Sequence, residues 1–303
     1  MNNKYHIPVL LHQSIHALIT NTSGIYVDAT FGGGGHSKEL LKQLDTHAKL
    51  FAFDQDQDAL SNTIEDSRFT LINQNFRHIK KFLRLYGYQQ VDGILADLGV
   101  SSHQFDIPER GFSLRFQSTL DMRMDQSQKT SAKDILNNYS QKQLQELFSK
   151  YGEIRNSKQL SEAIIEKRIL LPKGILTTDE LIEIIKSVAK GELNKYQAQV
   201  FQAIRIEVNQ ELDALKELLK ASLELLKPGG RIVVISYHSL EDRMVKHFLK
   251  TGNTEGEVQE DFKGNKKKYF EIISKKPVEP DKTEITKNTR SRSAKMRIAQ
   301  KIE

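Results

Sequence analysis

Three acidic residues and a run of glycines carry the strongest chemical pattern in this 303-residue chain. Gly32 to Gly35 follow an apolar, β-prone segment that contains Asp28, and two further β-prone segments end at Asp54 and Asp97. Glycine lets a ligand approach the backbone closely, and a helix that begins after such a loop presents free N–H groups. Carboxylates accept hydrogen bonds from hydroxyl and ammonium groups. The pattern predicts a ligand site, with a flexible surface loop as the alternative.

The spacing separates three nucleotide-type interpretations of this glycine loop. A phosphate-binding loop does not fit, because a serine and not a glycine precedes Lys38. A dinucleotide fingerprint beginning at Gly32 would place Ser37 where close helix–strand packing requires Gly or Ala. The third interpretation assigns Asp54 to ribose hydroxyls and Asp28 to the loop or to an ammonium group. S-adenosylmethionine has a ribose, an ammonium group and no phosphate, so it is the predicted ligand.

The elements that must position these residues alternate between strand and helix patterns. Helical patterns over 37–44, 58–64 and 76–86 separate the first four strands, and this alternation predicts a parallel sheet with helices on both faces. The last two strands are expected to pair as an antiparallel edge. The predicted strands are 25–30, 50–54, 69–73, 91–98, 231–237, 268–273 and 294–299.

Asp97 falls at the carboxyl end of the fourth predicted strand, where open α/β sheets bind their ligands. We therefore interpret it as functional. The alternative is that its carboxylate caps a helix or orders a loop. His238 follows the fifth predicted strand at the same edge, where either substrate contact or a capping role would suit it.

Strand patterns stop between Glu109 and about Tyr196, and four helical patterns replace them, over 130–139, 140–151, 157–169 and 177–189. Capping boxes are predicted at Ser140-x-x-Gln143 and Thr177-x-x-Glu180, and C-caps at Gly152 and Gly191. Another helical pattern continues from Gln199 to Leu226.

These helices define the predicted domains. We expect residues 1–107 and 200–303 to form one discontinuous core, and residues 108–199 to form a helical insertion. An insertion after the fourth strand is expected to wall the ligand cleft and to select the substrate. The alternative is a stabilising cap that does not contact substrate.

Composition limits the compartment and the chemistry. The chain has no cysteine, which excludes disulfides, thiolate zinc sites and cysteine nucleophiles, and we expect no metal cofactor. No apolar run approaches the roughly 20 residues of a membrane span, so a cytoplasmic protein without membrane contact is expected. The formal net charge of +6 favours a polyanionic partner such as nucleic acid.

The C-terminal segment is the most basic part of the chain. Several lysines lie between residues 263 and 276, and basic residues then alternate with small ones near the end. This spacing predicts contacts with an RNA phosphate backbone, whereas the alternative is that the cations pair with carboxylates of the core. The predicted RNA-binding residues are Arg290, Arg292, Lys295 and Arg297.

Long motifs in the same order resemble the bacterial small-subunit rRNA cytosine-N4 methyltransferases, the MraW/RsmH family. The resemblance implies a class I methyltransferase fold, Rossmann-like, with a seven-stranded, mostly parallel sheet and an inserted all-helical domain. The motifs are Asp28-Ala-Thr-Phe-Gly-Gly-Gly-Gly-His-Ser, Asp97-Leu-Gly-Val-Ser-Ser, Glu109-Arg-Gly-Phe-Ser, Leu120-Asp-Met-Arg-Met-Asp, Phe201-Gln-Ala-Ile-Arg-Ile-Glu-Val-Asn-Gln-Glu-Leu, Ser236-Tyr-His-Ser-Leu-Glu-Asp-Arg and Asn288-Thr-Arg-Ser-Arg-Ser-Ala-Lys-Met-Arg.

The resemblance implies S-adenosylmethionine as cofactor and methyl transfer to the exocyclic amine of a cytidine in the decoding region of 16S rRNA. The substrate would be the rRNA or the assembled small subunit, and the oligomeric state stays open, with a homodimer as one option. Asp97 would accept a hydrogen bond from the amine or hold the cofactor. The family's cofactor-binding positions match Gly34, Gly35, His36, Asp54, Phe76, Asp97 and Gln104.

The chemistry suits an amine acceptor. Methylation of pyrimidine carbon 5 commonly needs a cysteine, which this chain lacks, whereas an amine needs alignment and proton acceptors. A base that leaves its stack could pack on Phe31, Phe76 or an aromatic side chain of the insertion. Two other classes remain. A DNA amino methyltransferase usually has an Asn/Asp-Pro-Pro-aromatic element where this chain has Asp97-Leu-Gly-Val, and a non-catalytic RNA-binding protein could lose Asp54 and the glycine loop.

Overall fold

The computed structural model describes residues 8–260 and 262–302. These residues form two compact units, which we call the sheet unit and the helical unit. The sheet unit contains the residues up to Gly99 and those from Leu212, and the helical unit is Val100–Glu211. The predicted domain boundaries, 107/108 and 199/200, lie inside the helical unit.

The sheet unit is built on seven hydrogen-bonded strands in the order β3-β2-β1-β4-β5-β7-β6. Strands β1 to β5 pair with one another in parallel, and β7 is antiparallel to both β5 and β6. The predicted α/β class with a seven-stranded, mostly parallel sheet is confirmed. The strands are β1 Ile25–Asp28, β2 Lys49–Phe53, β3 Phe69–Ile72, β4 Val91–Asp97, β5 Leu226–Ser236, β6 Phe270–Ile272 and β7 Lys295–Lys301.

Both faces of this sheet are covered, because successive side chains of a strand point to opposite sides. Ile94 and Ala96 of β4 join an apolar cluster on one face, and Leu95 joins the cluster on the other. The first cluster includes residues of α3, α10 and α11, and the second includes residues of α1 and α2. The α-helices of this unit are α1 Leu11–Leu18, α2 Gly35–Gln43, α3 Ile79–Leu85, α10 Glu211–Leu225, α11 Ser239–Thr251 and α12 Lys282–Lys287.

Four predicted elements differ from those in the structure. The helix predicted over 58–64 is a 3₁₀ helix, Gln57–Asn62, and the one predicted over 76–86 begins as a 3₁₀ turn before α3. The continuous helix predicted from Gln199 to Leu226 is wrong, because Gln210 adopts a left-handed conformation (φ 50°) that ends one helix before α10 begins. Strand β5 begins at Leu226, earlier than predicted, through the Pro-Gly-Gly segment.

The helical unit has its own apolar core, which contains residues of α5 to α9. Its capping boxes at Ser140 and Thr177 are confirmed. The C-cap prediction at Gly152 is wrong, since α6 includes Gly152 and Glu153 takes the left-handed position (φ 50°). Gly191 lies beyond the C-cap of α8, which is Ala189. The helices are α4 Ser102–Asp106, α5 Ala132–Asn138, α6 Gln141–Gly152, α7 Ser157–Leu170, α8 Thr178–Val188 and α9 Leu193–Asn209.

Among the described residues, none of the helices combines the length and the apolar character that crossing a membrane requires.

Candidate functional site

The carboxyl ends of β1, β2 and β4 place three acidic side chains together at one edge of the sheet. Asp28 is the last residue of β1, Asp97 is the last residue of β4, and Asp54 follows β2 directly. Strand β1 lies between the other two. The structure therefore brings together the three carboxylates that the spacing selected.

Asp28 orders the glycine loop. One carboxylate oxygen accepts a hydrogen bond from the backbone N–H of Thr30 (3.1 Å), and the other accepts one from the Ser37 hydroxyl on α2 (2.7 Å). The side chain is buried, and burial raises its pKa. Of the two roles predicted for Asp28, these contacts support orientation of the loop.

Packing requires glycine at two positions of the loop. Gly34 has φ 75° and serves as the N-cap of α2, and a Cβ atom there would lie 2.8 Å from the Phe31 ring. A Cβ atom on Gly35 would lie 2.2 Å from Cγ of Pro8. Both glycines are therefore explained by the local fold, and their predicted cofactor contacts stay predictions.

Asp54 holds the start of the same loop. Its carboxylate accepts hydrogen bonds from the backbone N–H groups of Gly32 (2.7 Å) and Asp56 (2.9 Å). Burial raises the pKa of Asp54 to about 6 against the lowering effect of these hydrogen bonds. A carboxylate offers about four lone-pair sites, so two sites remain for hydroxyl donors such as those of a ribose.

Asp97 is held from two directions. Its backbone N–H donates to the Thr30 hydroxyl (2.7 Å), and one carboxylate oxygen, Oδ1, accepts from the Tyr237 hydroxyl (2.7 Å). The other oxygen, Oδ2, lies 3.8 Å from Nδ1 of His36. Burial raises the pKa of Asp97 to about 6, whereas a protonated His36 ring and the Tyr237 hydrogen bond lower it.

His36 presents a lone pair toward Asp97. Its Nε2 lies 3.2 Å from the carbonyl oxygen of Val9, and a carbonyl can only accept, so Nε2 carries the proton. In the neutral ring Nδ1 is then an acceptor, and burial lowers the pKa of His36, which favours that neutral form. Oδ2 of Asp97 and Nδ1 of His36 are thus two acceptors 3.8 Å apart, an arrangement suited to an N–H donor.

The donor and acceptor chemistry fits S-adenosylmethionine. Within residues 8–260 and 262–302, no lysine or arginine is paired with Asp28, Asp54 or Asp97. An acidic edge of this kind would repel a phosphate but would accept hydrogen bonds from ribose hydroxyls and an ammonium group.

Comparison with known proteins gives the family. The model of the MraW methylase family matches residues 3–302, which is nearly the whole chain. The chain belongs to the MraW methylase family. The confirmed sheet is accordingly that of a class I methyltransferase, and the family expected from the motifs is the correct one.

Curated relatives of this MraW-family chain share one name. A protein of Flavobacterium johnsoniae named "Ribosomal RNA small subunit methyltransferase H" is 58% identical over 300 residues, covering 99% of this chain and 98% of its own length. A protein of Phocaeicola vulgatus with the same name is 53% identical over 298 residues, covering 98% of this chain and 97% of its own length.

Two other predicted cofactor residues of this MraW-family chain, Phe76 and Gln104, belong to other elements. Phe76 begins the 3₁₀ turn after β3 and packs, partly buried, against the apolar cluster that includes α3. Gln104 belongs to the helical unit, where its side-chain oxygen accepts from the backbone N–H of Ser101 in a capping box (3.1 Å). Their predicted cofactor contacts stay predictions.

The four predicted RNA-binding residues differ in their surroundings. Arg290 and Arg292 lie in the 3₁₀ helix Thr289–Ser293, and Arg292 is exposed. Lys295 and Arg297 lie on β7. Arg297 makes a bidentate ion pair with Asp242 of α11, with N–O distances of 2.7 and 3.0 Å. The structural alternative therefore applies to Arg297.

The ring of Phe31 was predicted as one surface on which a displaced base could pack. Phe31 is 3% exposed and packs on Phe69, which leaves no face on which a base could stack.

His238 is the N-cap of α11, which supports its capping role. The contact between Tyr237 and Asp97 was not predicted, although β4 and β5 are neighbours in the sheet and their carboxyl ends lie side by side.

Proposed function

We propose that this protein transfers the methyl group of S-adenosylmethionine to the N4 amine of a cytidine in the decoding region of 16S rRNA. Membership of the MraW methylase family and the names of the curated relatives support methyl transfer to small-subunit rRNA. The observation that carries the proposal is the pair of acceptors, Asp97 Oδ2 and His36 Nδ1, at the carboxyl edge of the sheet.

The bound cofactor supplies an electrophilic methyl group on a sulfonium. The chain supplies acceptors for N–H donors at Asp97 and His36, and an acceptor for hydroxyl donors at Asp54. With a pKa of about 6, Asp97 is mostly ionised at neutral pH and basic enough to accept a proton. A cysteine adduct with the pyrimidine ring is excluded, because the chain has no cysteine.

The helical unit is proposed to form the substrate side of the enzyme. It has a separate apolar core, so its removal should leave the core of the sheet unit intact. We expect a variant that joins residues near 108 and 200 through a short linker, and so retains Gln104, to bind S-adenosylmethionine and to lose rRNA methylation. Full activity of this variant would show that the helical unit is only a cap.

The proposal extends to the substrate form and the compartment. Naked rRNA and the assembled small subunit are the two candidate substrates, and methylation rates on each, measured side by side, distinguish them. A protein that modifies rRNA is expected in the cytoplasm, where ribosomes assemble. Sedimentation with and without rRNA tests whether the enzyme acts as a monomer or a homodimer.

The decisive experiment locates the modified base. Mass spectrometry of 16S rRNA from cells with and without the protein should show one cytidine whose N4 methylation depends on the protein. Cells that carry the Asp97→Asn variant serve as the matched control and should resemble the deletion strain. A second assay compares methyl transfer from labelled cofactor to rRNA and to duplex DNA, and transfer to DNA alone would support the DNA methyltransferase alternative.

A further inference from the structure

We propose that Tyr237 is a positioning residue that acts through Asp97, holding one carboxylate oxygen so that the other faces His36 and the acceptor amine. This inference rests on the proposed function. Tyr237 lies directly after β5, and its hydroxyl donates a 2.7 Å hydrogen bond to Asp97 Oδ1. Oδ2 is left facing Nδ1 of His36 at 3.8 Å.

Tyr237 is itself fixed in place. Its backbone N–H donates to Oε2 of Glu241 on α11 (2.9 Å), within the turn that starts this helix. Its ring packs, partly buried, against the apolar cluster that includes Leu95 and Ile235. The ring also approaches Gly99, where an added Cβ atom would lie 3.5 Å from it. A hydroxyl on so constrained a ring can hold a carboxylate in one orientation.

The hydrogen bond also acts on the ionisation of Asp97. A donor to a carboxylate favours its charged form, so Tyr237 lowers the pKa of Asp97 while burial raises it. The other titratable groups facing Asp97 are His36 on α2, Asp28 on β1 and Glu241 on α11. None of these donates a hydrogen bond to Oδ1, so Tyr237 has a distinct effect that its removal should expose.

The test is the Tyr237→Phe variant, which removes the hydroxyl and keeps the ring. We expect the single-turnover rate of rRNA methylation, with saturating cofactor, to fall about tenfold at neutral pH. The acid limb of the pH–rate profile should move to higher pH by about one unit, because Asp97 loses a donor to its charged form. A merely structural role for Tyr237 would lower the rate without moving this limb.

Tyr139→Phe is the matched control. The Tyr139 hydroxyl donates to Oε1 of Glu207 over the same distance, 2.7 Å, within the helical unit. This variant should keep the pH–rate profile of the parent protein. In the Asp97→Asn background, Tyr237→Phe should change the residual rate by less than about twofold, because the basic oxygen that Tyr237 positions is absent.

A readout without turnover separates this inference from the proposed function. Carboxyl ¹³C shifts follow the titration of Asp97, and the Asp97→Asn variant assigns its signal. We expect the pKa of Asp97 to rise in Tyr237→Phe and to be unchanged in Tyr139→Phe. An unchanged pKa of Asp97 in folded Tyr237→Phe overturns the positioning role, whether or not the protein methylates rRNA. If the pKa rises but the parent protein transfers no methyl group to any RNA, the proposed function alone fails.

Discussion

The acidic side chains at the sheet edge and two acidic side chains of the helical unit lie in opposite electrostatic settings. Among the described residues, Asp54 and Asp97 at the sheet edge accept hydrogen bonds from neutral donors, and burial raises the pKa of each to about 6. In the helical unit burial raises the pKa of Asp121, but the hydrogen bonds and charge of Arg123 outweigh it, so the net pKa is lowered. Asp121 and Arg123 form a bidentate pair with N–O distances of 2.8 and 2.7 Å.

A second carboxylate of the helical unit follows the same rule. Burial raises the pKa of Glu180, but the backbone N–H groups of Leu176 and Thr177 outweigh burial and lower it. Glu180 belongs to a predicted capping box, so its charged form stabilises a helix start. Asp121 and Glu180 thus favour the folded state when charged, whereas Asp54 and Asp97 are charged at a cost to stability, as is common at functional sites.

The first prediction replaces one carboxylate of each unit, Asp97 and Asp121, by the neutral amide of asparagine. Asp97→Asn keeps an acceptor for Tyr237 but removes the basic oxygen, so we expect rRNA methylation to fall at least about 100-fold. Asp121→Asn should leave the rate within about twofold and lower the melting temperature. Rates measured at saturating cofactor, together with the Kd for S-adenosylmethionine, show whether the loss lies in chemistry or in binding. A nearly normal rate for Asp97→Asn would end the functional assignment of this carboxylate.

The second prediction concerns the pH dependence of stability. The pKa of Asp97 is raised from 3.8 to about 6 in the folded state. The protonated carboxyl group therefore favours the folded state below pH 4, and this contribution is lost as the pH rises through 6. Asp97→Asn should therefore raise the free energy of unfolding at pH 7.5 by up to about 3 kcal/mol and change it little at pH 4. Asp121→Asn should lower that free energy at pH 7.5. Denaturant unfolding at both pH values checks the opposite signs, which would not appear if the two carboxylates were equivalent.

The strands and the mostly parallel sheet could be predicted from sequence, because apolar runs that alternate with helical patterns are typical of βα units. The positions of Asp28, Asp54 and Asp97 followed from the strand ends. Backbone conformations were harder. Nothing in the apolar period around Gln210 indicates the left-handed residue that separates α9 from α10, since the pattern continues on both sides.

Partners from distant segments could not be predicted at all. Arg297 and Asp242 are far apart in the chain and pair because β7 and α11 meet, and no local pattern indicates which cation of the tail will find a carboxylate. The contact of Tyr237 with Asp97 likewise depends on the packing of a ring beside β4. Side-chain pairing of this kind depends on three-dimensional distance, which spacing in the sequence leaves open.

The third prediction concerns a second carboxylate of the sheet edge, Asp54. Asp54→Ala removes the carboxylate that holds Gly32 and that is predicted to accept from ribose hydroxyls. We expect the binding free energy of S-adenosylmethionine to weaken by at least about 1.5 kcal/mol, or about tenfold in Kd. Calorimetry on the folded variant measures the effect, with Glu180→Ala as a control carboxylate of the helical unit. An unchanged Kd for Asp54→Ala would contradict the ribose assignment.

The last prediction contrasts Arg297, which forms an ion pair within the protein, with Arg290 and Arg292, which are predicted to bind RNA. Arg297 is tied to Asp242, and both side chains are mostly buried (12 and 17% exposed), so Arg297→Ala should lower the melting temperature. Arg292 is exposed on the preceding 3₁₀ helix, and a phosphate backbone could reach it. Replacing Arg290 and Arg292 together by alanine should weaken RNA binding by a similar factor for different sequences and leave the Kd for S-adenosylmethionine unchanged.

The salt dependence of RNA binding distinguishes the two kinds of cation. Each lost phosphate contact should reduce the slope of log affinity against log salt by about 0.7 to 0.9, because fewer counterions are released on binding. Arg297→Ala should keep the salt-dependence slope of the parent protein. Asp242→Ala should lower the melting temperature by about as much as Arg297→Ala does. The Arg290 and Arg292 double variant could instead show an unchanged slope and a lower melting temperature. That result would mean that these arginines also pair within the protein, and that the tail stabilises the terminal strand and does not bind RNA.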